Sequence, residues 1–260
     1  MTEAQAILAH VEAGVLTLTF NRLHKKNAIT TAMYTSLADA LTEAAADSAV
    51  RAVVIQGHEQ IFTAGNDLAD FRNNPPSTDA DKPVPVFRFL EALRTFPKPV
   101  VAAVCGPAVG IGTTLLLHCD LVYAGDNAAF SLPFVNLGLC PEAGASLLLP
   151  ALVGYPRAAE KLLLGEAFYA EEAVDMGLVN RILPPHELAG YAQAQALKLA
   201  AKPPESLRIT KALMKQSHAA VLPVLMKEEF RHFGELLRGP AAKEALSAVM
   251  EKRRPDFSKL

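Results

Sequence analysis

Apolar residues in this chain fall into short runs, each followed by a polar or glycine-bearing turn and then by a stretch with helical spacing. Residues 15–20 alternate as a strand, whereas 53–55 and 100–104 are unbroken apolar runs that read as strands buried on both faces. Residues 120–124, 128–132 and 179–183 read as further short strands. Thr30 caps a helix predicted to run to about Ala46, with Met33, Leu37, Leu41 and Ala44 on its buried face. The spacing predicts another helix over 85–96, with Phe87, Leu90 and Leu93 on one side, and more over 111–118, 156–164, 170–176 and 187–201. Beyond Pro203 and Pro204 the pattern is wholly helical (about 205–216, 222–237 and 241–252) and more charged. Alternating strands and helices indicate an α/β protein. The change of composition divides the chain into an α/β core, 1–200, and a C-terminal helical subdomain, 201–260.

With 260 residues, 51% of them hydrophobic, the chain can bury a large core. Its net charge of −2 is spread without a basic stripe, which argues against nucleic acid as a partner. No apolar run is long enough to span a bilayer, so no membrane association is expected, and no signal-peptide pattern opens the chain. Cys105, Cys119 and Cys140 lie in apolar runs without metal-ligand spacing and read as free thiols in a reducing compartment. Ser258-Lys259-Leu260 spells the peroxisomal address. The composition favours a bacterial, cytoplasmic location, with the peroxisome as the eukaryotic alternative.

Two segments carry candidate chemistry of one design. In PKPVVAAVCGPAVGIGTTLLLHCD (97–120) a buried strand meets a turn containing Gly106, Pro107 and Gly110 and then a helix start, which leaves backbone N–H groups free. In 50–71 a second buried strand leads to Thr63-Ala64-Gly65-Asn66-Asp67 before another helix. Each turn alone reads more readily as a packing device, but two in adjacent parallel strands can aim one N–H each at the same oxygen, as an oxyanion hole does. In FSLPFVNLGLCPEAGA (130–145) Glu142 sits among Phe130, Phe134, Leu137, Leu139 and Leu147. Desolvation there raises a carboxylate's proton affinity and suits it to act as a general base. Spacing equally allows Glu142 to cap a helix starting near Ala143.

The remaining polar residues take plainer readings. Arg22, Lys25 and Lys26 form either a phosphate contact or a solvated turn, and polar, proline-rich 72–85 reads as a mobile loop beside the pocket. His118 reads as a packed core residue, Cys140 as pocket lining, Asp67 as a helix cap and His58 as exposed.

Taken together, NRLHKKNAIT, FTAGNDL, VVAAVCGPAVGIGTTLLLHCDLVYA and GEAFYAEEAVDMGLVNRILPPHEL resemble the crotonase (enoyl-CoA hydratase/isomerase) superfamily over essentially the whole chain. The resemblance implies a crotonase-like spiral of ββα units with C-terminal helices used in assembly and pocket closure, and a homotrimer or dimer of trimers. It implies an acyl-CoA substrate whose thioester carbonyl accepts the backbone N–H groups of Asn66 and Ile111. Ala64 falls where the family's backbone meets the adenine end of CoA, with Gly65 and Gly110 shaping the two turns. Lys25 and Lys252 stand as phosphate contacts, and Phe134 and Leu137 as a dry wall.

The departures narrow the activity. Hydratases of the family carry two glutamates that activate water; this chain has Thr114 and Phe134 at those places. PFVNLGLCPEAG instead resembles the Δ3,Δ2-enoyl-CoA isomerases that use one glutamate, here Glu142. The implied activity moves a 3-enoyl-CoA double bond to trans-2 in fatty acid oxidation, with no metal or redox cofactor, since CoA belongs to the substrate. The alternatives are another crotonase-type lyase or hydrolase, and a non-catalytic acyl-CoA binder.

Overall fold

The structure is a computed structural model that describes residues 6–73, 84–258 and 260. Its strands are β1 (Ile7–Glu12), β2 (Val15–Phe20), β3 (Ala52–Gln56), β4 (Val100–Val104), β5 (Pro107–Val109), β6 (Leu121–Gly125), β7 (Ala129–Ser131), β8 (Phe168–Tyr169) and β9 (Arg181–Leu183). One sheet runs β1-β2-β3-β4-β6-β9, antiparallel at the β1–β2 edge and parallel elsewhere; β5, β7 and β8 form a second, smaller sheet.

The unbroken apolar runs are explained by burial on both faces of the sheet. Val53, Ile55, Val100, Ala102 and Val104 face one core, which α1 (Thr31–Ala46) covers with Met33, Leu37 and Leu41. Their neighbours Ala52, Val54, Val101 and Ala103 face the opposite side. There they meet Leu188, Ala192 and Ala196 of a later helix. Thr30 caps α1 as the sequence indicates, its side chain accepting from the Met33 N–H.

The other helices are α2 (Leu68–Asn73), α3 (Pro85–Arg94), α4 (Ile111–Thr114), α5 (Ala145–Val153), α6 (Tyr155–Leu164), α7 (Ala170–Asp175), α8 (Pro185–Ala200), α9 (Pro204–Lys215), α10 (Leu222–Leu237) and α11 (Pro240–Met250). Leu222, Met226 and Phe233 of α10 and Ala242 of α11 belong to the same hydrophobic cluster as the sheet. Lys211 of α9 is buried and donates to Asp120 Oδ2 and to the Lys98 carbonyl, each at 2.7 Å.

Three strands and one break were not legible. β1 has a largely exposed face, so its alternation is blurred. β5 and β8 are three and two residues long and exist through their pairing with β7. The single helix expected over 111–118 is instead α4 followed by a 3-10 turn, Leu115–His118, which tightens before the chain enters β6. Residues 74–83 of the expected mobile loop lie outside the described residues. No helix among the described residues is long and apolar enough to cross a membrane.

Candidate active site

The site is built on two loops that run side by side. Thr63 forms a parallel bridge to Ala108, with Thr63 N–H donating to the Pro107 carbonyl and Val109 N–H to the Thr63 carbonyl. Three residues further along each strand stand Asn66 and Ile111. Neither backbone N–H has an acceptor among the described residues; Ile111 is the first residue of α4, where orphan donors are normal. Two glycines make this approach possible. At Gly65, φ is 86°, and an added Cβ would lie 2.8 Å from the Val109 carbonyl oxygen. At Gly110, φ is 56° and ψ −114°, a conformation closed to residues with a Cβ.

The NRLHKKNAIT segment brackets the first loop. Buried Asn27 donates to the Phe62 carbonyl at 3.0 Å, and the Asn27 carbonyl receives the Thr63 hydroxyl at 2.7 Å. Ala64 N–H donates to the Lys26 carbonyl, and Ile29 exchanges backbone bonds with Gly65 and Asp67. Arg22 donates through Nη1 to Asp67 Oδ2 at 2.7 Å and to the Ala28 carbonyl, so it is tied into the bracket rather than solvated in a turn. Asp67 does cap α2, accepting from the Ala69 and Asp70 N–H groups. Lys25 remains exposed beside this bracket.

Glu142 enters from the opposite side on a strained turn. Ala143 and Gly144 both take left-handed backbone angles, φ 60° and 75°, immediately before α5. The Glu142 side chain is buried at 8% exposure, and its hydrogen bond is a long one, received from Thr114 Oγ1 at 3.5 Å. Burial first, and then the negative charge on Glu229, push its carboxyl up to about 8. It does not cap α5. The Gly144 and Ser146 N–H groups donate instead to Glu229 of α10, at 2.6 and 3.0 Å.

A narrow cavity joins these parts. Asn66, Val86, Phe87, Leu90, Glu142, Ala143, Met226, Phe230 and Phe233 line it, so Glu142 is the one titratable group among the described lining residues. Tyr34 stands behind Asn66 and donates its hydroxyl to Asn66 Oδ1. Burial, with Glu142 as the next cause, raises the phenol well above its ordinary value, so it stays a neutral donor.

The structure thus brings Glu142 and Asn66 into one cavity, with Ala64, Gly65, Gly110 and Ile111 in the adjoining loops. Phe134 is buried near Gly110 and edge-on to Phe233, which puts it behind the wall. Leu137 is half-buried and does not line the cavity, and exposed Lys252 follows α11. Cys140 lines a different cavity, on the outer side of the Glu142 turn. Its thiol, like those of Cys105 and Cys119, is pushed up by burial, and all three are free.

Sequence reasoning missed Tyr34, Glu229 and the aromatic wall of α10. Their signal was a helical spacing that reads as ordinary core. His118 is a core residue as expected, and it also holds the turn, because its Nε2 bonds the Ala143 carbonyl at 2.7 Å.

The family model for enoyl-CoA hydratase/isomerase matches residues 10–259. Enoyl-CoA delta isomerase 2 of Rattus norvegicus is 40% identical over 230 residues, 87% of this chain and 59% of that protein's length. The 1,2-epoxyphenylacetyl-CoA isomerase of Escherichia coli is 35% identical over 97% of this chain and 98% of its own. The 2,3-dehydroadipyl-CoA hydratase of the same organism is 35% identical over 94% of each chain. Among solved structures, Pseudomonas aeruginosa OdaA superposes with a TM-score of 0.91 at 49% identity, covering 95% of this chain and 99% of its own. In sequence and in its α/β architecture with C-terminal helices, the chain belongs to the enoyl-CoA hydratase/isomerase (crotonase) family.

Proposed function

We propose that this protein is a Δ3,Δ2-enoyl-CoA isomerase that uses a single glutamate. The observation that carries the reading is the cavity: one carboxylate of raised proton affinity, walled by apolar side chains, facing a loop pair with two backbone donors that have no acceptor among the described residues. The thioester oxygen of a 3-enoyl-CoA sits between the Asn66 and Ile111 N–H groups. Loss of a C2 proton then gives a dienolate whose charge lies on that oxygen and on C4. Glu142 takes the proton from C2 and returns it to C4, leaving the trans-2 thioester. An oxyanion donor of this kind is worth on the order of 3 kcal/mol in the transition state.

Water addition needs a carboxylate that activates water. At the positions where hydratases of the family carry theirs, Thr114 and Phe134 are buried and neither can act as a base. A hydratase reading is favoured by the relatives named hydratases, among them the E. coli 2,3-dehydroadipyl-CoA hydratase at 35% identity.

Lys25, next to the Lys26 carbonyl that holds Ala64 N–H, and Lys252 are assigned to the CoA phosphates. The reaction requires no cofactor beyond the CoA of the substrate. The working assembly is a homotrimer or a dimer of trimers, which light scattering would register as multiples of 27.8 kDa.

The test is to mix the protein with 3-enoyl-CoA thioesters of several lengths and follow the 2-enoyl chromophore. Turnover by the wild type, lowered about 10²–10⁴-fold in Glu142→Gln, is expected. Hydration without isomerisation would overturn the reading in favour of a hydratase, and binding without any turnover in favour of a binder.

A further inference from the structure

Glu229 is the second buried carboxylate of the molecule's centre, 6% exposed, and no cation pairs with it among the described residues. It belongs to α10, and with Met226, Phe230 and Phe233 it follows the i, i+3, i+4, i+7 spacing of one helix face. Three of those residues line the Glu142 cavity, while Glu229 reaches past the cavity to the turn behind it. There its carboxylate receives the Gly144 and Ser146 N–H groups and the Ser146 hydroxyl. From the other side His118 holds the Ala143 carbonyl at 2.7 Å. The Ala143–Gly144 peptide is therefore clamped at both ends, its carbonyl by His118 and its N–H by Glu229.

We propose that Glu229 is a positioning residue for Glu142: it fixes the turn that carries the base, and it places a second buried carboxylate behind that turn. The proposal rests on the isomerase reading for the reaction assayed, but its geometry does not depend on it. A backbone cap can be supplied by Ser, Thr, Asn or Asp on the local chain. A distant carboxylate does what none of these do, because it couples the helix that walls the acyl cavity to the proton affinity of the base.

Other groups face this pair from each side. Tyr34 of α1 and Thr114 of α4 lie towards the cavity, with His118 behind the turn. Cys140, Glu228, His232 and Glu235 lie on the outer, solvent-open side, and Cys140 contacts the Glu229 carbonyl. Tyr34 and Cys140 are held neutral by burial, and Glu229 is the carboxylate whose charge bears on Glu142.

The experiment is the pH dependence of kcat/KM with a 3-enoyl-CoA for wild type, Glu229→Gln and Glu229→Asp. In Glu229→Gln the alkaline-rising limb should move down by about one pH unit, because a like charge next to the base is removed. In Glu229→Asp the charge remains on a shorter arm, so the midpoint should hold while kcat falls. A midpoint unmoved in Glu229→Gln, with only thermal stability lost, reduces Glu229 to a helix cap and overturns the proposal. Should the Gln variant not fold, Glu229→Asp decides. With glutamate carboxyl carbons labelled, the NMR signal absent from Glu142→Gln gives the Glu142 midpoint directly, and in Glu229→Asp that midpoint should hold while kcat falls. An unchanged kcat in Glu229→Asp overturns the proposal. The NMR titration needs no substrate, so a wild type without isomerase turnover would remove the functional reading and leave this one standing or falling by itself.

Discussion

At the scale of the residue, Glu142 governs both the rate and the pH response of the fold. With its carboxyl pushed up to about 8, the fraction of ionised base rises with pH, and kcat/KM should climb towards a midpoint near that value. Stability should run the other way. Between about 4.5 and about 8 the folded chain keeps a proton that the unfolded chain releases, so stability falls as pH rises through this window. His118 opposes it: burial lowers its imidazole to about 4, so stability is lost as pH falls from 6.5 towards that value. The clean measurement is therefore the difference in Tm between Glu142→Gln and wild type. It should be small below pH 4.5 and should grow in favour of the variant up to about pH 8. A flat difference would mean that the carboxyl is not held protonated by burial. Only part of this was legible in the chain. Apolar neighbours in FSLPFVNLGLCPEAG pointed to a desolvated acid, but the residues that desolvate it most directly, Met226, Phe230 and Phe233, come from a helix more than eighty positions away. The rival reading, a helix cap, fell for the same reason, since the true cap is Glu229.

At the scale of the element, the two strand–turn–helix units were legible because their physics is local. An unbroken apolar run has to be buried on both faces, and a glycine after it has to permit the bend. What no local pattern gives is the register between the units, which depends on the Thr63–Ala108 bridge and on Asn27 gripping the backbone of 62. NRLHKKNAIT is conspicuous in sequence for its cations, yet its buried polar Asn27 does more for the site than Arg22. Gly65→Ala tests the register. The new Cβ would meet the Val109 carbonyl at 2.8 Å in an unfavourable backbone conformation, at a cost of roughly 1–3 kcal/mol in stability. If the loops part, about 10²-fold or more in kcat should go with the lost donor geometry. Ile111→Val is the control: it trims a side chain 1% exposed and leaves the N–H in place, so about 0.5–1.5 kcal/mol of stability should be lost with little change in rate. Equal rate losses in both variants would show that packing, not the aim of the amides, limits turnover.

At the scale of the whole molecule, the question is whether the helices after 200 form an attachment or a part of the core. Composition separates them, because their outer faces are charged. Packing joins them: Leu222, Met226, Phe233 and Ala242 lie in one continuous cluster with Val53, Ile55 and Val104 of the sheet. The buried Lys211–Asp120 pair adds a polar tie whose Asp120 oxygen also receives the Val100 N–H. Removing one member of such a pair leaves an uncompensated charge and typically costs about 3–5 kcal/mol, which approaches the whole stability of many domains. Lys211→Met should therefore lower Tm sharply while leaving kcat of the folded fraction intact, since Lys211 does not line the cavity. A chain ending at Ala201 would lose the cap on α5, the wall of the cavity and the partner of Asp120 together. It should show no cooperative thermal transition by circular dichroism. If that fragment melted cooperatively near the wild-type temperature, the C-terminal helices would be a separable unit. The coupling of α10 to the Glu142 turn would then have to act in assembly rather than in folding.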